Sequence, residues 1–268
     1  MYDFVDPSFS KEISHLYSLS IQVSLNGFSF CVRNDQNAEL KAFKHFPAKI
    51  SNENLLTRRM EEWFSEEEML QLSYREKTVF ISFPKFSLVP GKLESEDLKS
   101  DLLKLLLKSD DESEQAENWI DPLQAKLIFL LPPNFLRMLS DSFGDFKLSH
   151  VLQPVLGLLF KHSSECTTML LFDDKEMYIS IKENGQLLLC NVFHINHTND
   201  AIYYVLSAAK QFKLNTGESV LLLAGKSSWL YDLETQFSKH FKQIIHADTE
   251  KPSGDLNQRT VSEFVCLW

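Results

Sequence analysis

The residues best suited to chemistry fall at three turns of the chain. Gly225-Lys226-Ser227-Ser228 follows the apolar run 220–224 and precedes a helical pattern, the setting in which backbone N–H groups and a lysine hold phosphate. A Walker A loop requires a glycine five residues before the second one, and that position is Val220, inside the run itself. No loop long enough to surround phosphates fits there. The stretch reads better as a strand-to-helix turn, with Gly225 allowing tight passage and Ser227 or Ser228 capping the next helix, and it leaves Lys226 beside a helix N-terminus where an anion can bind. Asp173-Asp174-Lys175 lies between the apolar runs 168–172 and 177–181 and reads as a hairpin tip. Neighbouring carboxylates on a short hairpin point to opposite faces, which disfavours a magnesium site, and an acidic tip repels phosphate unless a metal bridges the two. Asn26-Gly27 closes another hairpin and reads as a type I′ turn.

Other reactive residues carry less. His194 and His197 form a lone His-x-x-His with no second ligand pair at metal-site spacing, so surface or capping roles are expected and no metal. Cys31, Cys166, Cys190 and Cys266 are widely separated and read as reduced cysteines that pack as small hydrophobes. The sequence has no Gly-x-Ser-x-Gly elbow, no His-Glu-x-x-His helix and no Gly-x-Gly-x-x-Gly after a strand. No catalytic residue is assigned.

The elements that must position these turns occur twice. Residues 168–172, 177–181 and 186–193 form a three-strand meander, followed by a helix over 200–212, a buried strand at 220–224 and another helix. In the first half, residues 19–24, 28–33 and 39–46 repeat the meander, followed by a helix, the strand 78–83 and a second helix. Leu56, Met60, Trp63 and Phe64 share one helical face after the candidate cap Ser51. Ile202, Val205, Leu206 and Ala209 make a second stripe, with Tyr203 and Tyr204 as core and rim, and Leu233, Phe237 and Phe241 a third. The strands 78–83 and 220–224 are short and continuously apolar, as strands buried on both faces are, so the sheets should be mixed with parallel crossovers. The acidic stretch 109–118 reads as a surface loop, 125–131 as a strand of the first half and 148–160 as a helix. The polar stretch 249–259 precedes an apolar end, 261–268, able to return and pack. The expected division is residues 1–146 and 147–268.

Composition sets the class. With 268 residues and 44% hydrophobic content the chain is long enough for two modest cores. No window approaches the roughly 20 apolar residues of a membrane span, and the opening Met1-Tyr2-Asp3-Phe4-Val5-Asp6 lacks the basic and apolar regions of a secretory signal. A cytoplasmic protein, not embedded in a membrane, is expected. A formal net charge of -10 repels polyanions, so nucleic acid is excluded as a partner.

This element order resembles the duplicated ribonuclease-H-like architecture of the actin, Hsp70 and sugar kinase ATPases. Ser82-Phe83-Pro84-Lys85-Phe86-Ser87-Leu88-Val89-Pro90, Asn191-Val192-Phe193 before Asp200-Ala201-Ile202-Tyr203-Tyr204, and Leu222-Leu223-Ala224-Gly225 resemble an uncharacterised bacterial family with an actin-like ATPase fold. More distantly the chain is similar to the actin-like assembly proteins of type IV pili and type II secretion. The resemblance implies an α/β fold of two ribonuclease-H-like subdomains, each a mixed sheet flanked by helices. It also implies a nucleotide site, whose hairpin tips would begin with Asp-x-Gly: the Asp holds Mg²⁺, and the backbone cradles phosphate. In the corresponding stretch 20–27 the acid is replaced by Gln22 or Ser20 and the glycine by Ser24. The adenosine-side turn, often Gly-Gly-x-Ser, is reduced to Ala224-Gly225-Lys226-Ser227. What survives is a vestigial cleft of Asn26, Gly27, Asp173, Asp174, Gly225, Lys226 and Ser227. The expectation is a non-catalytic binding or scaffolding protein with a protein partner and no cofactor, contacting it through the interdomain cleft or helix faces. The alternative is ATP with Mg²⁺ held by noncanonical residues.

Overall fold

A computed structural model describes residues 2–92, 113–247 and 256–268. The described residues form two compact units: one runs to Gln153 and takes in Leu267, and the other runs from Pro154 and takes in 256–266 and Trp268.

The first unit contains β1 (Tyr2–Val5), β2 (Tyr17–Ser24), β3 (Gly27–Asn34), β4 (Leu40–Pro47), α1 (Glu53–Glu66), β5 (Glu76–Ile81), β6 (Phe86–Pro90), β7 (Glu114–Ile120), β8 (Ala125–Leu131), α2 (Phe135–Phe143) and β9 (Lys147–His150). Its main sheet has the order β1-β4-β3-β2-β5-β9, and β6-β8-β7 form a separate antiparallel sheet. The meander β2-β3-β4 is antiparallel, whereas β5 and β9 run parallel to β2. The second unit contains most of α3 (Leu152–Lys161), then β10 (Cys166–Asp173), β11 (Glu176–Glu183), β12 (Gln186–His194), α4 (Thr198–Gln211), β13 (Val220–Lys226), α5 (Leu230–Phe237), β14 (Gln243–His246) and α6 (Gln258–Glu263). Its sheet order is β12-β11-β10-β13-β14. Without β1, the main sheet of the first unit has the same order.

The repetition extends to single hydrogen bonds. Just past the third meander strand, Ala48 N–H donates to Asn26 O (3.1 Å), and Ile195 N–H donates to Lys175 O (2.8 Å). Just past the last strand, Val151 N–H donates to Ile81 O (2.9 Å), and Ala247 N–H donates to Leu223 O (2.7 Å). A continuously apolar crossover strand favours a place buried on both faces, and β13 takes it, buried from Val220 to Gly225; in β5, where the same was expected, only the face of Val79 and Ile81 is buried, and Thr78 and Phe80 on the other are half-buried.

The helical stripes face their sheets. Leu56, Met60, Trp63 and Phe64 of α1 are buried against Phe28, Phe30 and Phe46, with the Trp63 and Phe28 rings stacked at 5.0 Å. Ala201 and Val205 of α4 join Leu170, Ile179 and Leu221 in the core of the second unit. Phe237 closes α5, and Phe241 packs edge-on to it at 6.0 Å beyond the helix end. Tyr204 stacks on Phe193 at 4.3 Å, while Tyr203 is 67% exposed.

Four local expectations are corrected. The cap of α1 is Asn52, whose Oδ1 accepts from Leu55 N–H at 3.1 Å, one residue beyond Ser51. Part of the stretch read as an acidic loop is strand β7; residues 109–112 lie outside the described residues. Asn118 and Ile120 turn inward while Gln115, Glu117 and Trp119 turn outward, so the acidic composition masked a period-two pattern. The small sheet β6-β8-β7 comes between β5 and its following helix α2. The helix expected from 148 begins at Leu152, because 147–150 pairs with β5. The apolar end does pack: Val261, Phe264, Val265, Cys266, Leu267 and Trp268 are all buried.

His150 ties this unit together. Asn118 accepts from His150 N–H through Oδ1 (2.7 Å) and donates from Nδ2 to Leu148 O (2.9 Å), joining β7 to β9. The His150 ring is wholly buried, between Phe86 and Phe129 at 5.4 and 5.2 Å. Its Nδ1 accepts from Leu152 N–H (3.2 Å), which puts the proton on Nε2, facing Phe83 O at 2.9 Å. Burial pushes its pKa down from 6.5 to about 4, against the opposing pull of the Phe83 carbonyl. The unfolded chain therefore binds the proton more readily than the fold. This contribution carries no penalty above about pH 6.5 and destabilises increasingly as pH falls to about 4, by roughly 3 kcal/mol in all. Urea unfolding of the wild type and of His150→Gln across pH 4 to 6.5 should show the wild type losing stability more steeply with acid; parallel curves would contradict it.

Candidate functional site

The first hairpin tip is a two-residue loop. Ser24 pairs with Gly27, so Leu25 and Asn26 make the turn, and neither has a positive φ. The expected type I′ turn centred on Asn26-Gly27 is therefore corrected by one residue. Gly27 is the first residue of β3 at φ +148°, where a Cβ would stand 2.6 Å from Phe46 O. The strand pairing needs glycine there, and that requirement sets the register. Asn26 N–H donates to Ser24 Oγ (3.1 Å), and the carbonyls of Leu25 and Asn26 accept from Ile50 and Ala48.

The second tip is the same size. Asp173 pairs with Glu176, leaving Asp174-Lys175 as the turn, with Asp174 at φ +54°. Here the structure brings most of the candidate residues together. Phe172 is in register with Gly225 and Asp173 with Lys226, and Asp174 N–H donates to Lys226 O at 2.8 Å. β13 thus runs through Gly225 to Lys226 as a strand, where a turn was expected at Gly225. Gly225 has φ +84°, and a Cβ on it would lie 2.0 Å from Phe172 O and 2.5 Å from Phe172 N. No other residue fits between these backbones.

Beyond the strand, Ser227 Oγ accepts from Trp229 N–H at 3.3 Å and Ser227 O from Leu230 N–H, so Ser227 shapes the turn into α5 without being the cap itself. Lys226 extends over the Phe264 ring, 5.9 Å from its centre, a cation–π contact with the chain end beyond α6. Asn26 and Gly27 belong to the first unit; Asp173, Asp174, Gly225, Lys226 and Ser227 form one cluster in the second.

What the arrangement can do follows from its free groups. A phosphate cradle requires several converging backbone N–H groups. At each tip one turn N–H, of Asn26 in the first and Asp174 in the second, is taken by the chain itself. Among the described residues no three His, Cys, Asp or Glu side chains converge as metal ligands. The His-x-x-His pair is divided between other tasks. His194 Nδ1 meets Glu176 Oε1 at 2.6 Å, and His197 caps α4, where the Asp200 carboxylate accepts from the N–H groups of Asn196 and His197 (2.8 and 3.0 Å). Those two bonds, Asn196 first, hold Asp200 below the usual carboxylate range. None of the four cysteines is joined in a disulfide. The Cys190 residue is partly exposed, but its sulfur is deep enough that burial pushes the thiol up to about 11; burial also raises Cys166. Neither is primed as a nucleophile. The sequence reading passed over His150 and Asn118, whose partners are remote along the chain.

Residues 6–244 match the family described as "Protein of unknown function (DUF3822)". The chain belongs to that family. It is similar to a crystal structure from Bacteroides thetaiotaomicron VPI-5482 described as a protein with actin-like ATPase fold and unknown function: 23% identity, TM-score 0.77, covering 89% of this chain and 93% of that one. It is also similar to a chain of the PilM-PilN type IV pilus biogenesis complex: 12% identity, TM-score 0.60, covering 94% and 97%. No curated protein matches it in sequence. At these identities the likeness establishes the fold, which is the duplicated ribonuclease-H-like fold of the actin-like ATPases.

Gly225 and Gly185 both have positive φ, at +84° and +76°, but only Gly225 is crowded; nothing lies within 4 Å of a Cβ on Gly185. Gly185→Ala should cost about 1 kcal/mol, the left-handed penalty alone, and Gly225→Ala about 3 kcal/mol or more. Urea midpoints compare the two, and equal losses would refute the close approach of β10 and β13.

Proposed function

We propose that this DUF3822 member is a non-catalytic protein of actin-like ATPase fold that works by binding another protein. The observation that carries this reading is the condition of the two tips: each is a two-residue turn in which one N–H, of Asn26 in the first and Asp174 in the second, is engaged within the chain. The second tip presents Asp173 and Asp174 where a triphosphate would need positive or metal-bearing groups. Of the two lysines at that tip, Lys175 in the turn and Lys226 beside it, Lys226 lies over Phe264. The fold's presence in the PilM-PilN complex supports a role in protein binding. No helix among the described residues is long and apolar enough to cross a membrane. Four cysteines outside any disulfide suit a reducing compartment, and we take the protein to be cytoplasmic.

Thermal melts with and without Mg-ATP test the reading. A ligand at 100 times its dissociation constant stabilises a fold by about 2.7 kcal/mol, which a melt resolves readily. The expected result is an unchanged melt. A rise with Mg-ATP that Lys226→Ala abolishes would overturn the proposal in favour of ATP held by Asn26, Asp173, Asp174, Gly225 and Lys226.

A further inference from the structure

Among the described residues the two units differ at one edge of their common sheet. In the first, the third meander strand β4 is covered by β1, which pairs antiparallel with it from Tyr2↔His45 to Val5↔Ala42. Under that cover Leu40, Ala42 and Phe43 are at most 2% exposed. The equivalent strand of the second unit, β12, pairs only with β11 among the described residues. Six of its nine residues are half-buried: Leu187, Leu188, Leu189, Cys190, Val192 and Phe193 lie partly open, while Gln186, Asn191 and His194 are exposed, and β11 beside it is buried from Met177 to Lys182.

Of the usual protections this edge has a bulge, where Leu188 is the extra residue opposite Ile181 and Lys182, and lacks the others. A long apolar edge strand normally carries lysine or proline, or is covered. β12 has neither residue and no Asp, Glu or Arg. Its Val192 N–H is turned away from the ladder and donates to Asn191 Oδ1 at 2.8 Å, a local stand-in for a missing strand. An aromatic run continues outward from the same edge. Phe193 stacks on Tyr204, and Tyr204 meets Tyr203 edge-on at 5.6 Å, which leaves Tyr203 67% exposed.

We propose that β12 pairs antiparallel with β12 of a second copy of this chain, joining two five-stranded sheets into one across a two-fold axis. The edge carries no formal charge on a chain of net charge -10, so two copies meet there without the repulsion that acts elsewhere. An uncharged apolar strand calls for an uncharged apolar partner, and β12 is its own match. With the axis at Cys190, Leu189 faces Asn191 of the partner, and the bulge at Leu188 marks where the regular pairing ends. Tyr203 and its counterpart then flank the joined strands. This proposal is independent of the nucleotide question, since the tip cluster lies at the Asp173–Lys226 pairing and takes no part in it.

Sedimentation equilibrium of the full chain tests it. The wild type should show twice the 31.0 kDa of one chain. Val192→Pro removes an N–H that β11 does not use, so it should melt as the wild type does and sediment as a monomer. Asn191→Lys, at an exposed position, places a charge on the edge and should also give monomer, while Tyr231→Ser, at an exposed site on α5, should leave the dimer intact. A monomeric wild type overturns the proposal. So does a dimer that survives both edge variants, or a ladder of species larger than two chains.

Discussion

In each unit the first strand of the meander must pair in parallel with the strand that returns from the helix, β2 with β5 and β10 with β13. Parallel pairing requires a crossover, and the crossover helix then lies on the sheet and buries its apolar face there. This one ladder puts α1 over Phe28 and Phe30, and α4 over Leu170 and Leu221. It also brings the end of β13 against the second hairpin tip, so that Gly225 lies on the Phe172 backbone and Asp174 bonds to Lys226 O. The character of the tip is thus a consequence of the ladder continuing to its last residue.

A duplicated architecture permits the halves to diverge wherever the common sheet does not depend on them. The first unit adds a covering strand, β1, and a small sheet pinned by Asn118 and His150. Among the described residues the second adds neither, and β12 pairs there only with β11. Such additions act on edges and on the connections between core elements, where extra residues can be accommodated without disturbing the strand order.

The polar groups buried in the first unit serve structure. His150 is held neutral by burial, with each ring nitrogen given to a backbone partner, so it cannot act as an acid or base toward a ligand without leaving its site. The same economy runs through the second unit, where Asp200 closes the start of α4 and His194 meets Glu176. Polar residues that look available in the sequence are engaged in holding strands and helix ends.

The amino-acid sequence determined the two meanders, the crossover helices and their duplication, because alternating and continuous apolar runs are local signals of how a strand will be buried. Leu56 to Phe64 and Val220 to Ala224 could be placed on that ground alone. It did not reveal β7, whose inward residues Asn118 and Ile120 lie among acids, nor the strand at 147–150, which forms because β5 offers it an edge. At the candidate site, the residue types and the neighbouring elements were legible, but the register was not. Asn26-Gly27 has the composition of a turn, yet the turn is Leu25-Asn26, because Gly27 must pass within contact of Phe46. Gly225 likewise has the composition of a loop but ends a strand. Only the tertiary structure decided these, because a glycine's place depends on which backbone approaches it, and that backbone comes from a distant part of the chain.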